Sequence, residues 1–222
     1  MQDLQNLEKL EIQTLQLLNS NRLLESLFFG GGTMLRLCHN LPRYSTDLDF
    51  WITKETNPNN LFEKITEMLS EKFTLIDKAN KRNTLLFQFR SSVSQRTMKI
   101  EIRKNMKNFE WERKIAFSRF TSIQVPVKAL TLSQMLKNKI DALLSRKIIR
   151  DAFDIQFLIM RGVELNVEKK KLKKLLSTIK SFNDLDFKVV LGSVLPEKER
   201  EYYIKNKFNF LIEEINYKFF PK

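Results

Sequence analysis

Two stretches decide the fold of this chain: Gly30-Gly31-Gly32-Thr33 and Arg43-Tyr44-Ser45-Thr46-Asp47-Leu48-Asp49-Phe50. An apolar run over 27–29 leads into the glycines, and a short helix is predicted over 33–39, so the first stretch is a turn from strand to helix. The second stretch runs into a predicted strand over 47–52. Glycines let backbone N–H groups approach a phosphate at a helix N-terminus, and Thr33 adds a hydroxyl donor there.

The predicted strand carries two carboxylates on one face. Because successive side chains of a strand point to opposite faces, Asp47 and Asp49 share a face with Trp51, and the alternate apolar residues face the core. Neighbouring carboxylates repel each other unless a cation binds between them, and Mg²⁺ prefers such oxygens while leaving positions for substrate phosphates. Two surface acids beside an ordinary turn are the other reading. Their closeness to the glycine-rich turn favours a triphosphate-binding turn that faces a metal-binding edge.

A third carboxylate is expected on a neighbouring strand, and Glu101 in the predicted strand 98–103 is the candidate. Ile100 and Ile102 would face the core, which places Lys99, Glu101 and Arg103 together on the opposite face. Two readings stay open. Glu101 either completes a two-metal site, as third ligand and metal-bridged base, or is a solvent-facing glutamate paired with Lys99 or Arg103.

The remaining pattern divides the chain in two. An amphipathic helix opens it, with five leucines at helical spacing and Glu8 and Glu11 among the polar residues between them. Further strands are predicted over 73–76, 84–89, 98–103 and 123–127, whereas the pattern from Thr131 onward is almost wholly helical, with late helices over 185–195 and 197–220. We therefore predict an α+β lobe over 1–129 and an all-helical lobe over 130–222 that contributes to the active-site cleft.

The helical lobe carries a second candidate cluster. If one helix is continuous there, Lys139, Arg146 and Arg150 project within roughly 20° of one direction, which suits a triphosphate or a nucleic-acid backbone. A solvated basic face is the alternative. Asp151 either caps the next helix or orients Lys139 or a nucleotide base.

Composition limits the function classes. The chain has 222 residues and a net charge of +13, with further basic clusters such as 169–174, and together these favour a phosphate-rich partner. One cysteine and one histidine exclude a disulfide framework and a Cys/His zinc cluster within the chain. No apolar run is long enough for a bilayer, and the first dozen residues are unlike a secretory signal. We expect a cytoplasmic protein without a membrane partner.

Three motifs resemble the AbiEii/AbiGii toxin family: Gly31-Gly32-Thr33-x-Leu35-Arg36-Leu37, Arg43-Tyr44-Ser45-x-Asp47-Leu48-Asp49-Phe50, and Lys139-x-x-Ala142-x-x-x-Arg146 leading into Arg150-Asp151-x-x-Asp154. The members of that family are nucleotidyltransferase-like proteins of the DNA polymerase β superfamily. Many are toxins of toxin–antitoxin or phage abortive-infection systems. The resemblance covers residues from about 27 to about 160, in order, and the chained motifs are more specific than any one of them alone.

The resemblance implies a nucleotidyltransferase-like mixed β-sheet lobe with flanking helices, followed by the helical lobe. It implies catalytic residues at Asp47, Asp49, Lys139 and Asp151 and nucleotide-binding residues at Gly31, Gly32, Thr33, Lys139, Arg146 and Arg150. Asp47 and Asp49 would bind the metal, with Glu101 as third ligand at a position where Asp is commoner in the superfamily.

The implied activity is transfer of a nucleotide from an NTP, with Mg²⁺ or Mn²⁺ as cofactor. RNA is the implied acceptor, since some members of the family modify the 3′ end of tRNA, and the implied partner is a cognate antitoxin. Two alternative functions would use the same residues. In the first, the acceptor is a hydroxyl of a protein or small molecule; in the second, the chain is a catalytically inactive nucleotide- or RNA-binding module.

Overall fold

The computed structural model describes residues 1–92, 94–105 and 108–219. The chain divides into two compact units, Met1–Thr131 and Leu132–Lys222. Among the described residues, no helix has both the length and the apolar content needed to cross a bilayer.

The first unit is built on a seven-stranded mixed sheet. Its helices are α1 (Gln2–Ser20), α2 (Gly31–His39) and α3 (Pro58–Lys72). Its strands are β1 (Leu27–Gly30), β2 (Asp47–Ile52), β3 (Thr74–Asn80), β4 (Thr84–Ser91), β5 (Ser94–Arg103), β6 (Trp111–Phe117) and β7 (Gln124–Leu130). The strand order is β3-β4-β5-β2-β1-β7-β6, in which β2 pairs with β5 and β1 with β7 in parallel. The predicted α+β class is confirmed.

The faces of the two central strands follow from alternation. Leu48 and Phe50 of β2 and Ile100 and Ile102 of β5 are fully buried, while the residues between them lie on the opposite face. Burial of the apolar face fixes the register, because a slip of one residue would turn every core side chain toward solvent. The polar residues of both strands are therefore held on one face.

Strand β6 is absent from the sequence-based prediction. Its residues include a run of three charges, Glu112-Arg113-Lys114, which obscures the alternation. As the last strand of the sheet it pairs only with β7, and Ala116 is its one fully buried side chain, while Trp111 and Ile115 are exposed. A strand that buries so little of its surface carries almost no period-2 signal.

The second unit contains α4 (Leu132–Arg146), α5 (Ile149–Met160), α6 (Lys169–Lys180), α7 (Glu197–Asn206) and α8 (Asn209–Phe219). Two late predictions are wrong in detail. The predicted helix over 185–195 is a π-helical turn, Asp186–Leu191, followed by a 3-10 turn, Gly192–Val194. The predicted helix over 197–220 is two helices, because Lys207 adopts a φ of 52° and ends α7; residue 220 lies outside the described residues.

Candidate active site

The glycine turn brings the start of α2 against the acid pair. Gly31 has a φ of +74°, and a Cβ atom built on it would lie only 2.1 Å from Asp49 Oδ2. A Cβ atom on Gly32 would lie 2.4 Å from Arg43 Nη2 and 2.8 Å from Ser45 Oγ. A side chain at either position would force a neighbouring side chain to move, so the first turn of α2 lies directly beside Asp49 and Arg43. The free N–H groups of a helix N-terminus favour an anion at this place.

The hydroxyl of Thr33 has a partner within the protein. Its side chain is fully buried, and Oγ1 donates a hydrogen bond of 2.6 Å to the carbonyl oxygen of Asp47. The hydroxyl that the sequence assigned to a phosphate therefore ties α2 to the first residue of β2. Thr33 fixes the position of Asp47 relative to the glycine turn.

The parallel pairing of β2 and β5 aligns the predicted carboxylates. Asp47 is opposite Lys99 and Asp49 is opposite Glu101, with all four on the face away from the buried isoleucines. Asp47, Asp49 and Glu101 are half-buried. The sheet thus presents three acids and one lysine on two adjacent strands, beside the start of α2.

Two cations engage Glu101. Lys99 Nζ lies 2.9 Å from Glu101 Oε2, and Arg103 Nε lies 3.7 Å from Oε1. Partial burial raises the pKa of Glu101, but the hydrogen bond and charge of Lys99, with Arg103, outweigh it and leave the pKa below its ordinary 4.5. Partial burial lowers the pKa of Lys99, but Glu101, Asp47 and Asp49 outweigh it and leave the pKa above 10.5. Lys99 is the internal counter-ion of this acidic face.

The donor set suits a hard cation. Asp47 and Asp49 supply carboxylate oxygens from one strand face, the ligand type that Mg²⁺ prefers. Within the described ranges, no three His, Cys, Asp or Glu side chains converge as a ready-made metal site. Glu101 adopts the arrangement of the second reading, paired with Lys99 and Arg103.

Sequence reasoning missed a buried polar network behind this face. Glu8 and Glu11 of α1 are 4% and 0% exposed, not surface residues between the leucines. Glu8 forms an ion pair with Arg36 of α2 and accepts a hydrogen bond of 2.7 Å from Ser118 Oγ. Thr33 Oγ1 lies 3.5 Å from Glu11 Oε1, while Glu11 Oε2 is buried and has no hydrogen-bond partner among the described residues. Glu11 thus lies directly behind the threonine that positions Asp47.

A signal for these glutamates exists in the sequence. Residues 4, 7, 11, 14 and 18 recur every three or four positions and form one buried stripe of α1, with Glu11 at its centre. Burial raises the pKa of Glu11 well above its ordinary 4.5; the charges of Glu8 and Asp47 add to the rise, and Arg36 opposes it. The carboxyl of Glu11 therefore favours its neutral form.

In the second unit, Lys139, Arg146 and Asp151 are brought together. Lys139 is buried, and its Nζ lies 3.2 Å from Asp151 Oδ1 and 2.6 Å from Asp154 Oδ2. Arg146 donates two hydrogen bonds of 2.7 Å to the carboxylate of Asp151. Two cations and two acids form a balanced cluster. Asp151 thus contacts both Lys139 and Arg146, as expected if it orients Lys139.

The predicted line of three cations is wrong. It required one continuous helix, but α4 ends at Arg146, where Lys147 adopts a φ of 52°, and Arg150 belongs to the next helix. The left-handed conformation at Lys147 ends the helix, so the angular relation between Lys139 and Arg150 is lost.

The sheet, the glycine turn and the paired acids agree with a comparison against protein families. The family model described as "Nucleotidyl transferase AbiEii toxin, Type IV TA system" matches residues 15–215. The chain belongs to the AbiEii toxin family. It is therefore a nucleotidyltransferase from a type IV toxin–antitoxin context, with a nucleotide as substrate and an antitoxin as the implied partner. The resemblance read from the three motifs is confirmed.

Solved structures share the fold of this AbiEii family member. JHP933 from Helicobacter pylori is 19% identical with a TM-score of 0.52, and the match covers 91% of this chain and 94% of that one. A candidate nucleotidyltransferase from H. pylori is 18% identical with a TM-score of 0.55, covering 93% and 96% of the two chains. These likenesses confirm the nucleotidyltransferase-like fold. Comparison with curated proteins gives no match.

Proposed function

We propose that this AbiEii family member is a toxin that transfers a nucleotide from an NTP to RNA, with the 3′ end of tRNA as the favoured acceptor. We further propose that the reaction depends on Mg²⁺, that Mn²⁺ can replace it, and that it takes place in the cytoplasm as part of phage defence. The observation that carries the proposal is the contact between the carboxylate of Asp49 and the start of α2 at Gly31.

The first unit supplies the groups that such a transfer requires. Asp47 and Asp49 would hold the cation, which when bound neutralises triphosphate charge and lowers the barrier to attack at phosphorus. The N–H groups at Gly31 and Gly32 would receive the phosphates at the helix N-terminus. Lys99 already balances part of the negative charge of this face, and Glu101 would be a third ligand once Lys99 releases it.

The chemical step exchanges a phosphoanhydride bond of the NTP for a phosphate ester bond to the acceptor. An acceptor hydroxyl oxygen forms a bond to the α-phosphorus, the bond from that phosphorus to the bridging oxygen of the β-phosphate breaks, and pyrophosphate leaves. The hydroxyl proton passes to solvent. The protein contributes mainly position and charge neutralisation, because this reaction needs little covalent participation from the enzyme.

The second unit contains the third family motif, which includes Lys139, Arg146, Arg150 and Asp151. We propose that Lys139, Arg146 and Arg150 interact with the triphosphate and that Asp151 holds Lys139 and Arg146 in place. The support for this part is the family motif and the hydrogen bonds from Lys139 and Arg146 to Asp151. The net charge of +13 supports RNA as the acceptor, since it favours association with a polyanion.

The experiment incubates the purified protein with each α-labelled NTP, Mg²⁺ and total RNA. Label is expected in RNA with the unaltered chain. It is expected to fall by a factor of about 10³ or more for Asp49→Asn, because the amide lacks the negative charge that would hold the cation at the reacting phosphate. Asp77→Asn is the matched control, because Asp77 is exposed on β3 of the same sheet. Full labelling by Asp49→Asn would refute the assignment of the site.

The same reaction with a protein extract tests the acceptor. Label that RNase removes supports RNA, and sequencing of tRNA ends then locates the added nucleotide. Label that resists RNase and follows protein or a small molecule contradicts the RNA proposal and favours the alternative acceptor. Tight RNA binding without transfer, independent of Mg²⁺ and of Asp47, would identify an inactive binding module.

A further inference from the structure

A groove of about 500 Å³ opens in the second unit, away from the Lys139 cluster. It lies between α4, the segment 161–167 and α6. Leu136 and Ile140, both almost fully buried, form an apolar floor. Lys137, Arg161 and Lys171 stand on its rim. The volume is in the range of small-ligand sites, and a nucleotide is a ligand of this size.

The surface around this groove is strongly positive. Helix α6 contains six lysines and no acid, and Lys169, Lys170, Lys173, Lys174 and Lys180 are exposed. Among the described residues that line the groove, Glu164 is the only acid, and Lys171 is paired with Asp141. A basic face next to an apolar depression is the electrostatic footprint of nucleic-acid binding.

The groove differs in chemistry from the candidate active-site cluster on the same helix. Helix α4 directs Lys139 to Asp151 and Asp154, where positive and negative charges balance. Leu136 and Lys137 of the same helix line the groove, where cations exceed acids. Arg161 is held at the rim by its guanidinium group, which lies 5.1 Å from the centroid of the Phe157 ring.

We propose that this groove and the lysine face of α6 bind single-stranded RNA, with one base on the floor of Leu136 and Ile140 and the adjoining phosphates on Lys137, Arg161 and Lys171. This inference rests on the proposed function, because it assigns a place to the acceptor RNA. The apolar floor favours RNA over an acidic polypeptide, since a flat aromatic base fills such a depression while carboxylates need only the rim.

The test measures binding of a labelled single-stranded RNA oligonucleotide by fluorescence anisotropy over a range of salt concentrations. The triple variant Lys137→Ala, Arg161→Ala, Lys171→Ala is expected to bind about tenfold or more weakly at low salt. Loss of three phosphate contacts is also expected to reduce the slope of log K against log salt by about 2. Thermal unfolding confirms that the variant is folded.

The matched control removes the same charge elsewhere in the unit. Lys188, Lys198 and Lys205 are exposed and lie outside the groove, so their triple alanine variant should keep RNA affinity within about threefold and keep the salt slope. Equal loss in the two triple variants would refute the groove, because only net charge would matter. Unchanged RNA binding with loss of poly-glutamate binding would also overturn the proposal, in favour of an acidic protein.

The transfer assay separates this inference from the proposed function. Asp49→Asn is expected to bind RNA as the unaltered chain does. If the unaltered chain labels RNA while the groove variant binds RNA normally, the groove inference fails and the function stands. If the unaltered chain binds RNA through the groove but labels no RNA, the proposed transfer fails and the binding site stands.

Discussion

The carboxylate of Asp49 lies against the α-carbon of Gly31, at the first residue of α2. The antiparallel pairing of β1 and β2 places Gly30 opposite Asp49. Because Gly30 is the last residue of β1, this pairing positions Asp49 next to the start of α2. Backbone N–H groups and a carboxylate meet here without an intervening side chain. An anion-binding helix N-terminus is therefore next to a carboxylate, the ligand type that Mg²⁺ prefers.

Gly31→Ala is expected to lower both stability and transfer activity. A φ of +74° costs an L-residue about 1–2 kcal/mol, and the new Cβ atom would also displace the Asp49 carboxylate, from which it would lie 2.1 Å. Chemical denaturation and the labelling assay measure the two effects. Gly162→Ala is the control, because Gly162 has a φ of +82° with nothing within 4 Å of its Cβ position. Equal unfolding costs in the two variants, with activity kept, would contradict the close contact.

Lys99→Met is expected to increase the dependence of the first unit on divalent cations. Lys99 is the counter-ion of Glu101 and contributes to balancing Asp47 and Asp49, so its removal leaves the acids to repel one another. The cost in stability without metal should be below about 1 kcal/mol, because the pair is partly exposed. The rise in melting temperature on adding Mg²⁺ should then exceed that of the unaltered chain.

Lys114→Met provides the comparison, since Lys114 lies 3.3 Å from Glu112 in a similar partly exposed pair on β6. Mg²⁺ should raise the melting temperature of this variant no more than that of the unaltered chain. An equal Mg²⁺ effect in Lys99→Met and Lys114→Met would show that Lys99 does not face the metal-binding acids.

The sequence predicts the glycine turn, the acid pair and their shared face, because these depend on local geometry and on strict alternation. It predicts the pairing of Lys139 with Asp151 only as one of several alternatives. The sequence does not predict that α4 ends at Arg146. The conformation of Lys147 depends on how α4 and α5 pack, and it leaves no signal in the hydrophobic pattern. Glu8 and Glu11 are misassigned, since glutamate is usually exposed and only its tertiary partners reveal burial.

Glu11→Gln is expected to stabilise the chain at neutral pH and to have little effect in acid. The folded-state pKa of Glu11 is raised, so the folded chain binds a proton that the unfolded chain releases above pH 4.5. The neutral carboxyl of Glu11 contributes fully to the free energy of unfolding below pH 4.5. This contribution is lost as the pH rises through the folded-state pKa. Melting temperatures from pH 4.5 to 8 check the trend.

The control for this prediction is chosen from the charged and polar groups that surround Glu11. Glu8 lies on the same helix, Thr33 and Arg36 on α2, and Asp47 on β2. Glu8→Gln removes the ion pair with the largely buried Arg36 and should destabilise the chain by about 3 kcal/mol. A constant difference between Glu11→Gln and the unaltered chain across this pH range would mean that Glu11 is charged in the folded state.

Lys139→Met is expected to destabilise the second unit by about 3 kcal/mol, because it removes from the fully buried Asp154 a lysine partner whose Nζ lies 2.6 Å away. For a chain of this length, that corresponds to a fall of roughly 10 °C in melting temperature. Adding Asp154→Asn should recover part of the loss, since the buried carboxylate is then neutral. A surface lysine that serves only a triphosphate would give no such loss and no such recovery. If the stabilised double variant still fails to transfer nucleotides, Lys139 also acts on the substrate; if transfer returns with stability, its role is to hold Asp151 and Asp154 together.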